Sequence, residues 1–150
     1  MVSSVATEKL TANLKVDQYL SGNASTAKDI GFVDMRDYSN IMVVSVAAAL
    51  TGIGITVFQL VANSQADGNG DEVVVKQHAI GSAPDAAGDY LVLECSAEEI
   101  AHLGEAAGYD LRYVSAKITC ANASDRIVCT YIRAGARRPG AGLTADYVSA

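Results

Sequence analysis

The chain has no tryptophan, only two prolines, two histidines and three cysteines in 150 residues, and 17 acidic residues outnumber its 11 lysines and arginines. Each scarcity narrows what the protein can be. With His78 and His102 alone, a catalytic triad or a histidine-built metal site has almost no parts to draw on. The motifs G-x-S-x-G, H-E-x-x-H, G-x-x-x-x-G-K and G-x-G-x-x-G are all missing, so neither an enzyme nor a cofactor is expected. A net charge of -6 lacks the basic surface that releases phosphate counterions, so no nucleic-acid partner is expected. Cys95, Cys120 and Cys129 are an odd count without C-x-x-C spacing, and they read as buried reduced thiols. Two prolines leave no proline-rich linker, and MVSSVATEKL has neither the basic nor the apolar region of a secretory signal.

What is present points to strands. Half the residues are hydrophobic, enough for one core in a chain of this length. Valine, isoleucine, threonine and alanine are plentiful, which favours an all-β class. In Tyr109 to Arg138, Val114, Ala116, Ile118 and Cys120 alternate with Tyr113, Ser115, Lys117 and Thr119, the period of a half-buried strand. Residues 121–125 supply turn chemistry. Arg126 to Arg133 is then close to apolar on both faces. The pattern predicts a hairpin whose second strand lies in the interior of a sheet.

Ile41 to Ala62 runs 22 residues without a charge, long enough to cross a bilayer as a helix. Its second half alternates instead, with Ile53, Ile55, Val57, Gln59 and Val61 on one face and Thr56, Phe58 and Leu60 on the other. With Thr51-Gly52-Ile53-Gly54 at the midpoint, the stretch reads as two strands. A membrane-anchored protein is the least favoured alternative. Ser96 and Glu99 have the spacing of a capping box, which predicts a short helix past His102 that Gly104 or Gly108 ends. Within it, Glu99 and His102 read as a surface pair.

Three short stretches resemble a known class. They are Val33-Asp34-Met35-Arg36-Asp37-Tyr38, then Phe58 to Ser64 with its Gln59 followed by Asp67-Gly68, and the RYVSAKIT, ANAS, VCTYI and R-A-x-A-R succession up to Arg137. Together they are similar to the small β-sandwich virion proteins of tailed bacteriophages, although the tryptophan usual after the Asp-Gly turn is missing. The resemblance implies an antiparallel β-sandwich, of which a jelly roll is one form, and the domain is expected over residues 30–150 with the one short helix inside it. Residues 1–29, rich in serine, threonine, asparagine and alanine with dispersed apolar residues, read as an N-terminal arm, extended or partly helical. It also implies a structural protein on the capsid exterior that decorates the shell as a cement protein and bridges neighbouring major capsid protein subunits. Self-association as a trimer would match a local three-fold axis. A neck or tail component, or a carbohydrate- or receptor-binding sandwich, are the alternatives.

Candidate contact residues follow from charge and position. Asp67 to Asp110 holds ten acids against Lys76 alone, while arginines gather near the end. Arg133, Arg137 and Arg138 are therefore candidates for a partner interface. Leu10, Leu14, Val16 and Tyr19 are the apolar residues that an arm would lay on a neighbour; a first strand after a disordered terminus is the other reading of that segment. Asp67, Asn69 and Asp71 begin like a calcium loop. Glu72 stands where the loop needs glycine and His78 where it needs a bidentate acid, so a glycine-rich turn is the better reading.

Overall fold

The computed structural model describes residues 13–20, 28–51, 54–78 and 86–137. In order, these form β1 (Leu14–Leu20), β2 (Lys28–Asp29), β3 (Val33–Asp34), β4 (Tyr38–Ala49), β5 (Ile55–Asn63), β6 (Glu72–Gln77), β7 (Tyr90–Ser96), α1 (Ala97–Ala107), β8 (Tyr113–Cys120) and β9 (Arg126–Ala136). Sheet A runs β1-β9-β4-β7 and sheet B runs β2-β8-β5-β6, with β3 also beside β8. All the pairings are antiparallel. The expected all-β sandwich is the observed fold, with Val43, Ile127 and Tyr131 of sheet A meeting Phe58, Leu60 and Ile118 of sheet B in one core.

The connection between β8 and β9, expected as a hairpin, is an arch instead, and so is the one between β4 and β5. Strands β8 and β9 lie in different sheets, as do β4 and β5, and the chain crosses the core at each turn. Alternation fixes which side chains point inward, and it is the same for a hairpin and for an arch. The true hairpin of this region is β5–β6, formed by the stretch with Gln59 and Asp67-Gly68. One register detail also differs. A bulge between Ile55 and Val57 turns Ile55 onto the face of Phe58 and Leu60, so it is buried in the core.

The uncharged stretch from Ile41 to Ala62 is thus divided between β4 and β5, and no helix among the described residues is long and apolar enough to cross a membrane. Helix α1 is the expected short helix. Ser96 Oγ accepts from the Glu99 amide at 3.1 Å and Glu99 Oε2 accepts from the Ser96 amide at 2.8 Å, closing the capping box. The helix runs past Gly104 and stops at Gly108, whose φ of 78° is a left-handed cap that glycine adopts at little cost.

The arch between β8 and β9 is tied to the one between β4 and β5 by Asp125. Its carboxylate, fully buried, accepts from the Thr51 amide and hydroxyl, both at 2.7 Å, and from the Asn122 amide at 3.2 Å. Desolvation raises the pKa of this carboxyl, but the hydrogen bonds from Thr51 and Asn122 outweigh it and hold the group below its ordinary value. A depressed folded-state pKa gives a stabilisation that is complete above the unfolded value and is lost as the pH falls through the folded one. Asp125→Asn, which cannot offer two acceptor oxygens, is expected to cost about 2 kcal/mol in urea unfolding at neutral pH. The gap to the wild type should narrow once the pH drops below about 4. An equal gap at both pH values would contradict the linkage.

Candidate functional site

The face of sheet A that points away from sheet B is unusual for a two-layer sandwich. Register and alternation put Leu14, Val16, Gln18 and Leu20 of β1 beside Ala134, Ile132, Thr130 and Val128 of β9. The rows continue through Asn40, Met42, Val44 and Val46 of β4 to Ser96, Glu94, Val92 and Tyr90 of β7. Aliphatic side chains fill most of these outward positions, and Glu94 is the one formal charge among them. Of the six large apolar side chains exposed among the described residues, Val16 (41 %), Leu20 (64 %), Tyr90 (67 %) and Val92 (42 %) lie on this face, whereas Val74 and Tyr109 stand apart. Ile132, Met42, Val44, Val46 and Val128 between them are half-buried.

Sheet B is finished differently. On its outer side Lys117 is ion-paired with Glu72, with Asp29 3.7 Å away, and Gln59 hydrogen-bonds Gln77 at 3.1 Å. The Asp29 carboxyl is held above its usual range because burial disfavours its charge more than Lys117 favours it. Val61, apolar and outward on this sheet, is fully buried. One sheet is dressed for water and the other is not. Strands spaced about 4.8 Å apart and rising about 3.3 Å per residue give the sheet A face a footprint of roughly 400 Å², in the range of the largest apolar patches that monomers expose, which are often functional.

The predicted contact residues divide between the surface and the interior. Leu14 and Val16 are on the outer face of sheet A, because Leu14–Leu20, within the segment read as an arm, is a full strand paired to β9 of the same chain. Tyr19 points the other way. Its ring meets that of Tyr131 edge-on at 5.4 Å, and it lies so close to Gly31 (φ 73°) that a Cβ there would be 2.7 Å from the ring. Arg133 is also internal, 4 % exposed. It donates to the Asp34 carbonyl at 2.6 Å and to Asp17 Oδ2 at 2.5 Å, and its guanidinium lies 4.8 Å from the centre of the Tyr38 ring. It therefore clamps β1 and β3 to β9 and offers no charge to a partner. Arg137 is exposed, its amide bonded to the Asp37 carbonyl at 2.7 Å. Leu10 and Arg138 lie outside the described residues.

Neither a family model nor a curated protein nor a solved structure matches this chain.

Geometry also decides the Asp67, Asn69 and Asp71 turn. Asp67 accepts from the amide and the side chain of Asn69, each at 3.0 Å, so these groups satisfy one another. The first of those bonds is what chiefly holds the Asp67 carboxyl below its ordinary pKa. Beneath them the fully buried Asn63 accepts from the Gln65 and Gly70 amides and donates to the Gly68 and Gly70 carbonyls. Among the described residues no cluster of three or more histidine, cysteine, aspartate or glutamate side chains could hold a metal ion. The turn is held by its side chains. The cysteines are buried and unpaired, and burial pushes the Cys95 thiol up to about 12 and those of Cys120 and Cys129 to about 11. Thiols so placed are poor nucleophiles at neutral pH.

The outer face of sheet A was not singled out from the sequence as a site. Its signal was there in Arg126 to Arg133, apolar on both faces, a pattern that belongs to a strand covered on both sides. The described residues cover only one of them.

Proposed function

We propose that this chain is a structural virion protein of a tailed phage that sits on the capsid exterior, decorates the shell and bridges neighbouring major capsid protein subunits. The observation that carries the reading is the nearly charge-free outer face of sheet A, which the other described residues leave uncovered and which is the docking surface. The phage setting is supported by the quoted resemblance, whose Gln59 and Asp67-Gly68 stretch coincides with the β5–β6 hairpin and whose Tyr38 opens β4. A face of roughly 400 Å² is about half of what each partner buries in a standard stable interface. One copy alone would therefore hold weakly, and self-association as a trimer would let several such contacts act together through effective concentration. Binding the assembled shell in preference to its dissociated subunits then stabilises the shell by mass action.

Co-sedimentation with purified empty heads that lack the protein tests this. The wild-type chain is expected to pellet saturably at a copy number related to the symmetry of the head. Val16→Glu combined with Val44→Glu, both at outward positions, should melt with the wild type yet bind at least about tenfold more weakly, a loss of at least about 1.4 kcal/mol in overall binding. No pelleting of the wild type would move the assay to tail assemblies and glycans; undiminished pelleting of the double variant would remove the face from the mechanism.

A further inference from the structure

The row of Leu14, Ala134, Asn40 and Ser96 ends the outer face of sheet A, and there the surface sinks into a cleft of about 560 Å³. That volume is in the range of clefts that receive a drug-sized ligand, about 300–1,000 Å³, and so leaves ample room for a single large side chain. Leu14, Met42, Ile132 and Ala134 give it an apolar lining, and Glu94 and Glu99 stand among its other walls. It shares Ser96 and Glu99 with a second depression of about 500 Å³ that runs along α1 past Glu98, His102 and Glu105.

The charges here are lopsided. Lys76 lines the first cleft, but its Nζ is already 2.6 Å from Glu99 Oε1. Glu94, Glu98 and Glu105 make no ion pair among the described residues. These carboxylates are not gathered into a metal-binding cluster either. An apolar hollow that opens onto a trough where Glu98 and Glu105 have no ion-pair partner among the described residues suits a ligand that is greasy at one end and cationic at the other.

We infer that the cleft and trough together receive an extended segment of the partner protein, in which an aliphatic or aromatic anchor is followed by lysine or arginine. This rests on the docking role proposed for the same face. The anchor fills the space over Met42 and Ile132 and gains its energy from apolar burial. The bases lie along α1 and add selectivity and steering more than affinity, because exposed ion pairs contribute little. An acidic segment meets like charge and is refused. A second copy docking through its own sheet A face is disfavoured, because the outward positions of that face carry no base to answer Glu94.

Methyl NMR of the full chain, read at Met42 and Ile132, tests the inference with three acetylated, amidated peptides: Gly-Phe-Lys-Lys-Gly, Gly-Phe-Glu-Glu-Gly and Gly-Ala-Lys-Lys-Gly. The first is expected to shift both methyls saturably, at concentrations about tenfold below the other two. High ionic strength, and Glu98→Gln combined with Glu105→Gln, should each erode that preference. Equal responses to all three peptides would overturn the inference, as would no response at either methyl. So would a doubled mass by light scattering that blocks the peptide. The two proposals fail separately: heads bound by a chain that ignores the peptides would sink this inference alone, and a peptide-binding chain that ignores heads would sink the capsid reading alone.

Discussion

Arg133→Met is expected to lower the unfolding free energy by about 3 kcal/mol, which for a chain of this size is about 10 °C in melting temperature. Methionine keeps the apolar stem and removes the guanidinium. Asp17, its side chain only 24 % exposed, then loses its ion-pair partner, and the Asp34 carbonyl loses a donor. Leaving one member of a buried pair behind costs more than the pair is worth as a whole, because its desolvation is no longer compensated. The contact with the Tyr38 ring goes as well. Strand β1 should feel the loss first, since its partners in the sheet are those of β9 alone. Hydrogen exchange should therefore quicken at Leu14–Leu20 before it does at β4. Asp17→Asn should cost less, for Arg133 keeps the Asp34 carbonyl and Tyr38. A cost below about 1 kcal/mol for Arg133→Met would show that the clamp is a surface pair in solution.

Tyr131→Phe, a change of one oxygen atom, should cost a similar amount, about 3 kcal/mol. Tyr131 rises from β9 in sheet A and crosses the core to the edge of sheet B. There its hydroxyl accepts from the Ala116 amide at 2.9 Å and donates to the Ile30 carbonyl. The Ile30 amide meanwhile reaches the Ala116 carbonyl directly at 2.8 Å. The hydroxyl thus takes the place of a ladder hydrogen bond and ties the two sheets together. Phenylalanine leaves a buried donor and a buried acceptor unpaired, each costing about 1–3 kcal/mol. Burial also pushes the phenol well above its usual pKa, so the hydroxyl stays a donor throughout the neutral range. Urea unfolding of the two proteins measures the difference. A change under about 0.5 kcal/mol would mean that Ile30 and Ala116 close the gap themselves.

Both residues show what the sequence could and could not reveal. Ile127, Cys129, Tyr131 and Arg133 share one parity along β9, so a chain reader could have placed Arg133 inside with Tyr131. Its position near the end of an arginine-rich stretch argued for a surface role instead, and the carboxylate that receives it is 116 residues away on β1. Such a partner leaves no local trace. Local chemistry was legible: the capping box at Ser96, the Asp67-Gly68 turn and the alternation of β8 all formed as their residues dictate. The sheet that each strand joins was not, because a hairpin and an arch place the same residues inward. The single bulge that buries Ile55 is likewise set by its pairing with β8 and not by its own neighbours in sequence.

The uncovered face carried the weakest signal, since an outward valine looks the same in a strand whether its cover belongs to the same chain or to another. Hydroxyl-radical footprinting of the protein, free and bound to heads, reads that cover residue by residue. Protection is expected at Val16, Met42, Val44, Tyr90 and Ile132, with Gln59, Val74 and Lys117 on sheet B as reactive as in the free chain. Protection confined to sheet B, with the sheet A face unchanged on bound particles, would contradict the docking surface described above.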